Sequence, residues 1–224
     1  MLEVHGRQIL TTLEELVDPA HTALLVIDMQ NDFCREGGLM HETGQDLSSV
    51  KQAADRLRHV LSCARAARVL PVYIQARSLP QHASSSGPWL LFMVVRYGMD
   101  PKRGCTVEGT WGAEIIDELA PEPGDTVVTK ARASAFIGTN LDMILRSNGI
   151  ATVVLTGVVT QGCVESTARD AMYHDYYTVV LEDCVAAYDP GLHDASLKVL
   201  RSRMDVVPSD AVLRVWAGRP PRIA

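Results

Sequence analysis

Apolar residues recur along this chain at two spacings, and their alternation predicts the architecture. The run 22–28 (TALLVID) is almost continuously apolar, as expected of a strand covered on both faces, and it ends on an acid. Residues 46–68 switch to helical spacing, with Val50, Ala53, Ala54, Leu57, Val60, Leu61 and Ala64 on one face and Asp46 placed to cap the start. A second strand is expected over 70–76 (LPVYIQA), a third over 125–130 (DTVVTK) and a fourth over 152–158 (TVVLTGV). Two more follow over 177–183 (YTVVLED) and 204–208 (MDVVP). Helices are expected over 111–120, 139–148, 163–175 and 190–203.

Strands that alternate with helices imply right-handed crossovers. The fold class is therefore α/β, a three-layer, mostly parallel six-stranded sheet with helices on both faces. Residues 77–110 break the pattern with Pro80, SSSGP and several glycines, which predicts a long irregular loop with one helical turn around Trp89–Tyr97. No repeat or linker divides the chain, so residues 1–224 are expected to form one domain carrying this insert.

Composition narrows the partners. The chain is 47% apolar, and its 21 basic and 27 acidic residues give a formal charge of −6 without any long basic run. That argues against nucleic acid and anionic membranes as partners. No apolar run reaches the ~18 residues of a membrane span, and the N-terminus has no signal-like stretch, so a cytoplasmic location is expected. Five cysteines without CxxC or Cys/His ligand spacing point to thiols rather than disulfides or zinc.

In parallel α/β sheets, ligands bind beyond the carboxyl ends of the strands. Asp28, Lys130 and the stretch Val158–Cys163 all fall there. Cys163 is either a packed small thiol or a nucleophile. Its place at the expected start of helix 163–175 favours the second, because free amides and the helix dipole would lower the thiol pKa and could hold an oxyanion. His174 lies eleven residues along the same helix, about 16 Å away at ~1.5 Å per residue, and cannot act as its base. His193 could reach Cys163 only through a loop. Asp28 could take the thiol proton or cap the following turn, and Lys130 could stabilise the shared negative charge or be a solvated strand-end lysine.

Three stretches in this order, LLVIDMQNDF, VVTKARASAF and TGVVTQGCVESTARDA, resemble the isochorismatase-like cysteine hydrolase family from Ala23 to about Val207. The resemblance implies an Asp28/Lys130/Cys163 triad, a cis peptide between Val158 and Val159, and an oxyanion hole formed by the Val159 and Cys163 amides. It further implies hydrolysis of a C–N bond through a thioester, with no cofactor, and a homodimer or homotetramer.

The Asp/His metal set of the family's nicotinamidases has no counterpart in YIQARSLPQHASS, so no metal is expected. GTWGAEIIDEL and CVESTARDA are most similar to the ureide and carbamoyl-amide branch, which acts on biuret, triuret, ureidoacrylate and N-carbamoyl compounds. The expected partner is a small amide or ureide. TQGC stands where relatives have TNVC, and Ala133 and Ala135 are small where relatives are bulkier, which leaves room for a different acyl group.

Phe33 is a candidate substrate wall or simple packing. Gln30 could contact substrate, orient Asp28 or cap the next segment. Arg132 could hold a substrate carboxylate or form a surface salt bridge, and Trp89 could line the pocket or an interface. Cys34 is the second thiol expected near the site. A catalytically idle ligand-binding or scaffold member of the same fold is the alternative function.

Overall fold

The chain enters through a small antiparallel hairpin, β1 (Leu2–Val4) and β2 (Arg7–Ile9), followed by the short helix α1 (Leu13–Leu16). The computed structural model describes residues 1–218; residues 219–224, the end of the expected 1–224 unit, lie outside the described residues. The hairpin lies almost wholly in solvent, so its sequence has no buried face to produce an apolar alternation.

The sheet begins with β3 (Thr22–Ile27), buried at every position. Two short helices follow, α2 (Asn31–Cys34) and α3 (Leu39–Glu42), and then the long helix α4 (Ser48–Ala66) and β4 (Leu70–Ala76). The buried face of α4 is the one its spacing predicts, from Val50 to Ala64. Asp46 accepts the Ser48 amide at its start. After β4 the chain makes its long excursion, in which helix α5 (Gly87–Leu90) runs into a π-type turn over Leu91–Arg96.

The chain returns as β5 (Thr126–Lys130), α6 (Leu141–Ser147) and β6 (Thr152–Val158). It finishes with α7 (Glu165–Tyr173), β7 (Tyr177–Ala186), α8 (Pro190–Arg201), β8 (Asp205–Val207) and α9 (Ser209–Ala217).

The six strands β5-β4-β3-β6-β7-β8 are all parallel. Along β3, Leu24 and Val26 join the core that contains α4 and α9, while Ala23, Leu25 and Ile27 join the core that contains α6, α7 and α8. Two apolar layers therefore clamp the central strand, which explains why its sequence reads as one continuous apolar run.

Two parts of the sequence reading need correction. Residues 111–120 are not a helix but two single 3₁₀ turns, Trp111–Ala113 and Asp117–Leu119. The backbone between them is spent on the chain after β3: Ile115 bridges Gln30, and the Ile116 amide donates to the Met29 carbonyl at 2.9 Å. Helix α9 was not anticipated. It buries Val212 and Trp216, and the Trp216 indole donates to the Val17 carbonyl at 2.9 Å.

From β3 the chain steps outward through β4 to β5 and then returns to β6 on the other side of β3. The carboxyl ends of β3 and β6 thus form the switch point of the sheet, where a crevice opens.

Candidate active site

Asp28 is the first residue beyond β3. Its amide donates to the Ile74 carbonyl at 2.9 Å, and its φ of +53° turns the chain sharply, with the carboxylate buried at the switch point. Lys130 is the last residue of β5, two strands away, so roughly 10 Å of sheet separates the two backbones. The lysine stem bridges that gap over β4, where its register partner is the small residue Ala76.

Its ammonium lies 2.8 Å from Asp28 Oδ2 and donates to Cys163 Sγ at 3.2 Å and to the Arg132 carbonyl at 3.1 Å. An ammonium has three donors, and here each has an acceptor. Burial alone would weaken the charged form, but the negative charge of Asp28 and Cys163 outweighs it and holds the Lys130 pKa above the ordinary range. No backbone amide or hydroxyl among the described residues donates to the Asp28 carboxylate. The Asp28 charge acts on the nearby Cys163 thiol and favours its protonated form.

The thiol itself departs from expectation. Burial, with Asp28 adding to it, pushes Cys163 up to about 12, while Lys130 works in the opposite direction. Cys163 also precedes α7 rather than opening it. It lies within a π-type turn, Thr160–Val164, and α7 begins only at Glu165. Alkylation of Cys163 by iodoacetamide, read by peptide mass spectrometry, is therefore expected to rise about tenfold per pH unit from about pH 7 to about pH 10. A plateau near neutral pH would mean that the thiol is already ionised there.

The peptide between Val158 and Val159 is cis, and Val158, Val159, Gly162 and Cys163 all face the same cavity of about 340 Å³. Phe33, Trp89 and Arg132 also line it. Arg132 forms no surface salt bridge among the described residues. It donates from Nη1 to the Ser84 and Ala131 carbonyls at 3.2 and 2.6 Å, and its guanidinium sits over the Trp89 ring, 5.2 Å from the centroid.

Gln30 is not on the cavity wall. Its amide group is consumed by the backbone, with Nε2 donating to the Ala76 and Ala113 carbonyls and Oε1 accepting from the Ala76 amide, each at 2.8 Å. It ties the ends of β3 and β4 together beneath the site.

Cys34 is buried in the core that contains α4, away from the cavity, and the second thiol on the wall is Cys105. Burial pushes both thiols up. His174 stacks on Phe136 on the far side, as its distance requires. His193 approaches only indirectly: its Nδ1 pairs with Thr160 Oγ1 at 2.9 Å, which fixes the turn that carries the thiol.

The rest of the wall comes from the excursion, with Phe92, Met93, Tyr97, Cys105 and Thr106, together with Leu192 from α8. These residues carry no motif, and only the folded chain brings them together. One sequence signal could have pointed to how they are held. Asp32, in MQNDF, is a buried carboxylate that accepts the Leu39 and Thr106 amides at 3.1 and 2.7 Å and pairs with Arg103 at 2.9 Å. It fastens the far end of the excursion to the turn after β3. Gly112 is required beside it, because a Cβ there would lie 2.4 Å from the Asp32 carboxylate.

Among the described residues no three His, Cys, Asp or Glu side chains form a set that could hold a metal, and no helix is long and apolar enough to cross a membrane.

A parallel α/β sheet with an acid, a lysine and a thiol converging at its switch point defines a thiol-bearing α/β protein of the cysteine hydrolase type. The isochorismatase domain matches residues 22–211, and the chain belongs to that family. The ureidoacrylate amidohydrolase RutB of Enterobacter sp. (strain 638) is 36% identical over 179 residues, 77% of this chain and 78% of that protein. The RutB of Methylorubrum extorquens (strain ATCC 14718) is 36% identical over 87% of this chain and 82% of its own length.

Among solved structures, a cysteine hydrolase from Pseudomonas syringae pv. phaseolicola 1448A superposes with a TM-score of 0.76 at 27% identity, covering 90% of this chain and 95% of that one. N-carbamoylsarcosine amidase from Thermoplasma acidophilum gives 0.66 at 35% identity, over 85% of this chain and 97% of that one.

Proposed function

We propose that this chain is a cysteine amidohydrolase that cleaves the C–N bond of a small amide or ureide. The observation that carries the reading is the single buried ammonium of Lys130, 2.8 Å from the Asp28 carboxylate and 3.2 Å from the Cys163 thiol. The names of the amidohydrolase and amidase relatives support the same chemistry.

A thiol that is neutral at rest needs a base at the moment of attack. Asp28 takes the Sγ proton as Sγ bonds to the carbonyl carbon, and the negative charge passes to the carbonyl oxygen. The Val159 and Cys163 amides stabilise that oxygen. The oxyanion collapses, the C–N bond breaks, and protonated Asp28 delivers its proton to the departing nitrogen, releasing ammonia or an amine. Water then attacks the thioester carbonyl and gives a proton to Asp28. The C–S bond breaks, and that proton returns to the thiolate. Lys130 stays charged throughout and offsets the negative charge that moves between Asp28 and Sγ.

The test is to incubate the protein with a panel of carboxamides and ureides, measure ammonia or amine release, and quench in acid. The expected result is release together with an acyl mass on the peptide that contains Cys163. Release without any acyl adduct, or no release across the panel, would refute the reading.

A further inference from the structure

The chemistry of the cavity away from the thiol differs from what a carboxylate-bearing substrate would need. Its outer wall is Phe33, Trp89, Phe92, Met93, Tyr97 and Leu192. Three of the rings form a continuous ladder, with Phe92 centred 5.3 Å from Trp89 and 5.6 Å from Tyr97. Such offset, tilted faces accept another ring or a branched apolar group. A cavity of about 340 Å³ also leaves room well beyond a reacting carboxamide.

Besides Lys130, two cations line the wall, and each already makes contacts of its own. Arg77 pairs with Glu108 at 3.0 Å and donates to Gln75 Oε1 at 3.1 Å. Arg132 is laid flat on Trp89, and its Nη1 is bonded to two backbone carbonyls. Ser78 Oγ donates to the Cys105 carbonyl, and the Thr106 amide is held by Asp32. Other polar side chains on the wall include Tyr97, whose ring belongs to the ladder, and Gln161, whose Oε1 is buried without a donor. A neutral acceptor of that kind calls for an N–H, which the scissile amide itself carries.

We propose that the substrate is an uncharged amide whose non-reacting end is apolar and aryl-sized, and that this site discriminates against the anionic ureido acids for which its relatives are named. The inference rests on the amidohydrolase reading above. A carboxylate placed against the ladder would lose its hydration, and Arg132 would have to leave Trp89 and its two backbone carbonyls to pair with it, whereas an aryl group would gain contact with three rings.

The experiment compares kcat/KM for 3-phenylpropanamide and hexanamide with that for succinamate and 3-ureidoacrylate. The neutral apolar amides are expected to be preferred by at least about a hundredfold. Equal or better use of the anionic compounds would overturn the proposal, above all if their use disappears in Arg132→Met, since that would make Arg132 the carboxylate anchor.

Should none of the four be hydrolysed, the amidohydrolase reading is what suffers, and binding decides the present inference. Calorimetry with the wild-type protein is expected to show 3-phenylpropanamide binding at least about tenfold more tightly than succinamate. Equal or weaker binding overturns the proposal.

Discussion

Replacing Lys130 with methionine is expected to lower kcat/KM by at least about a thousandfold, comparable to the loss of a preorganised charge-stabilising group in other acyl-transfer sites. Methionine fills a similar volume along β4 but offers nothing to Asp28, Cys163 or the Arg132 carbonyl, all three of which lose a donor. The Asp28 carboxylate, 1% exposed, would then be a buried charge without a counter-ion, a situation that typically costs about 3 kcal/mol or more of stability. It escapes by taking up a proton, and an Asp28 that already holds a proton cannot accept one from the thiol.

The variant should therefore be both less stable in urea and inactive. A companion variant separates the two effects. Lys130→Met combined with Asp28→Asn removes both charges, and should recover part of the lost stability while recovering none of the turnover. If Lys130→Met alone keeps more than about a tenth of the wild-type kcat/KM, the ammonium is structural and the mechanism above is wrong.

Gly157→Ala is expected to cost more than about 3 kcal/mol in urea unfolding, well into the range that needs a specific mechanism. Gly157 lies inside β6 at φ +107°, at the register shift between β6 and β7. A Cβ there would sit 2.0 Å from the Ile27 carbonyl oxygen and 2.8 Å from the Ile27 nitrogen. Those atoms are backbone of the central strand, immediately before Asp28, so they can move only by shifting the acid.

Gly149→Ala is the matching control. Gly149 is also at positive φ, +66°, but has open space around it, and its replacement should cost only about 1 kcal/mol. Equal losses at the two sites would mean that conformation alone, and not the contact with Ile27, sets the cost at Gly157.

The central strands and the three polar groups at their ends were legible because burial on both faces leaves a continuous apolar run, and the sheet rule says where to look beyond it. Asp28, Lys130 and Cys163 each ended or followed such a run. What was not legible depended on contacts between distant segments. The expected helix over 111–120 lost its backbone donors and acceptors to the chain after β3. The outer wall of the cavity comes from an excursion without periodicity, held by the buried carboxylate of Asp32 and by a small apolar cluster in which Met99 and Cys105 pack with Leu39, Met40 and Leu47. The setting of the thiol was not legible either: a π-type turn follows Val159 before α7 begins, and burial together with the Asp28 charge from another strand end pushes its pKa up.

The reach of Lys130 across Ala76 has a consequence for how such a protein can diversify. Spacing among the acid, the ammonium and the thiol follows from strand order and from the width of a single intervening strand, and the excursion over residues 77–110 touches it where the Arg77 amide donates to the Lys130 carbonyl at 2.9 Å. The excursion in turn supplies most of the surface that meets the remote end of a bound molecule. The placement of the three polar groups and the shape of the outer wall thus come largely from different stretches of the chain. The second can be redrafted through many substitutions and insertions while the first is inherited intact.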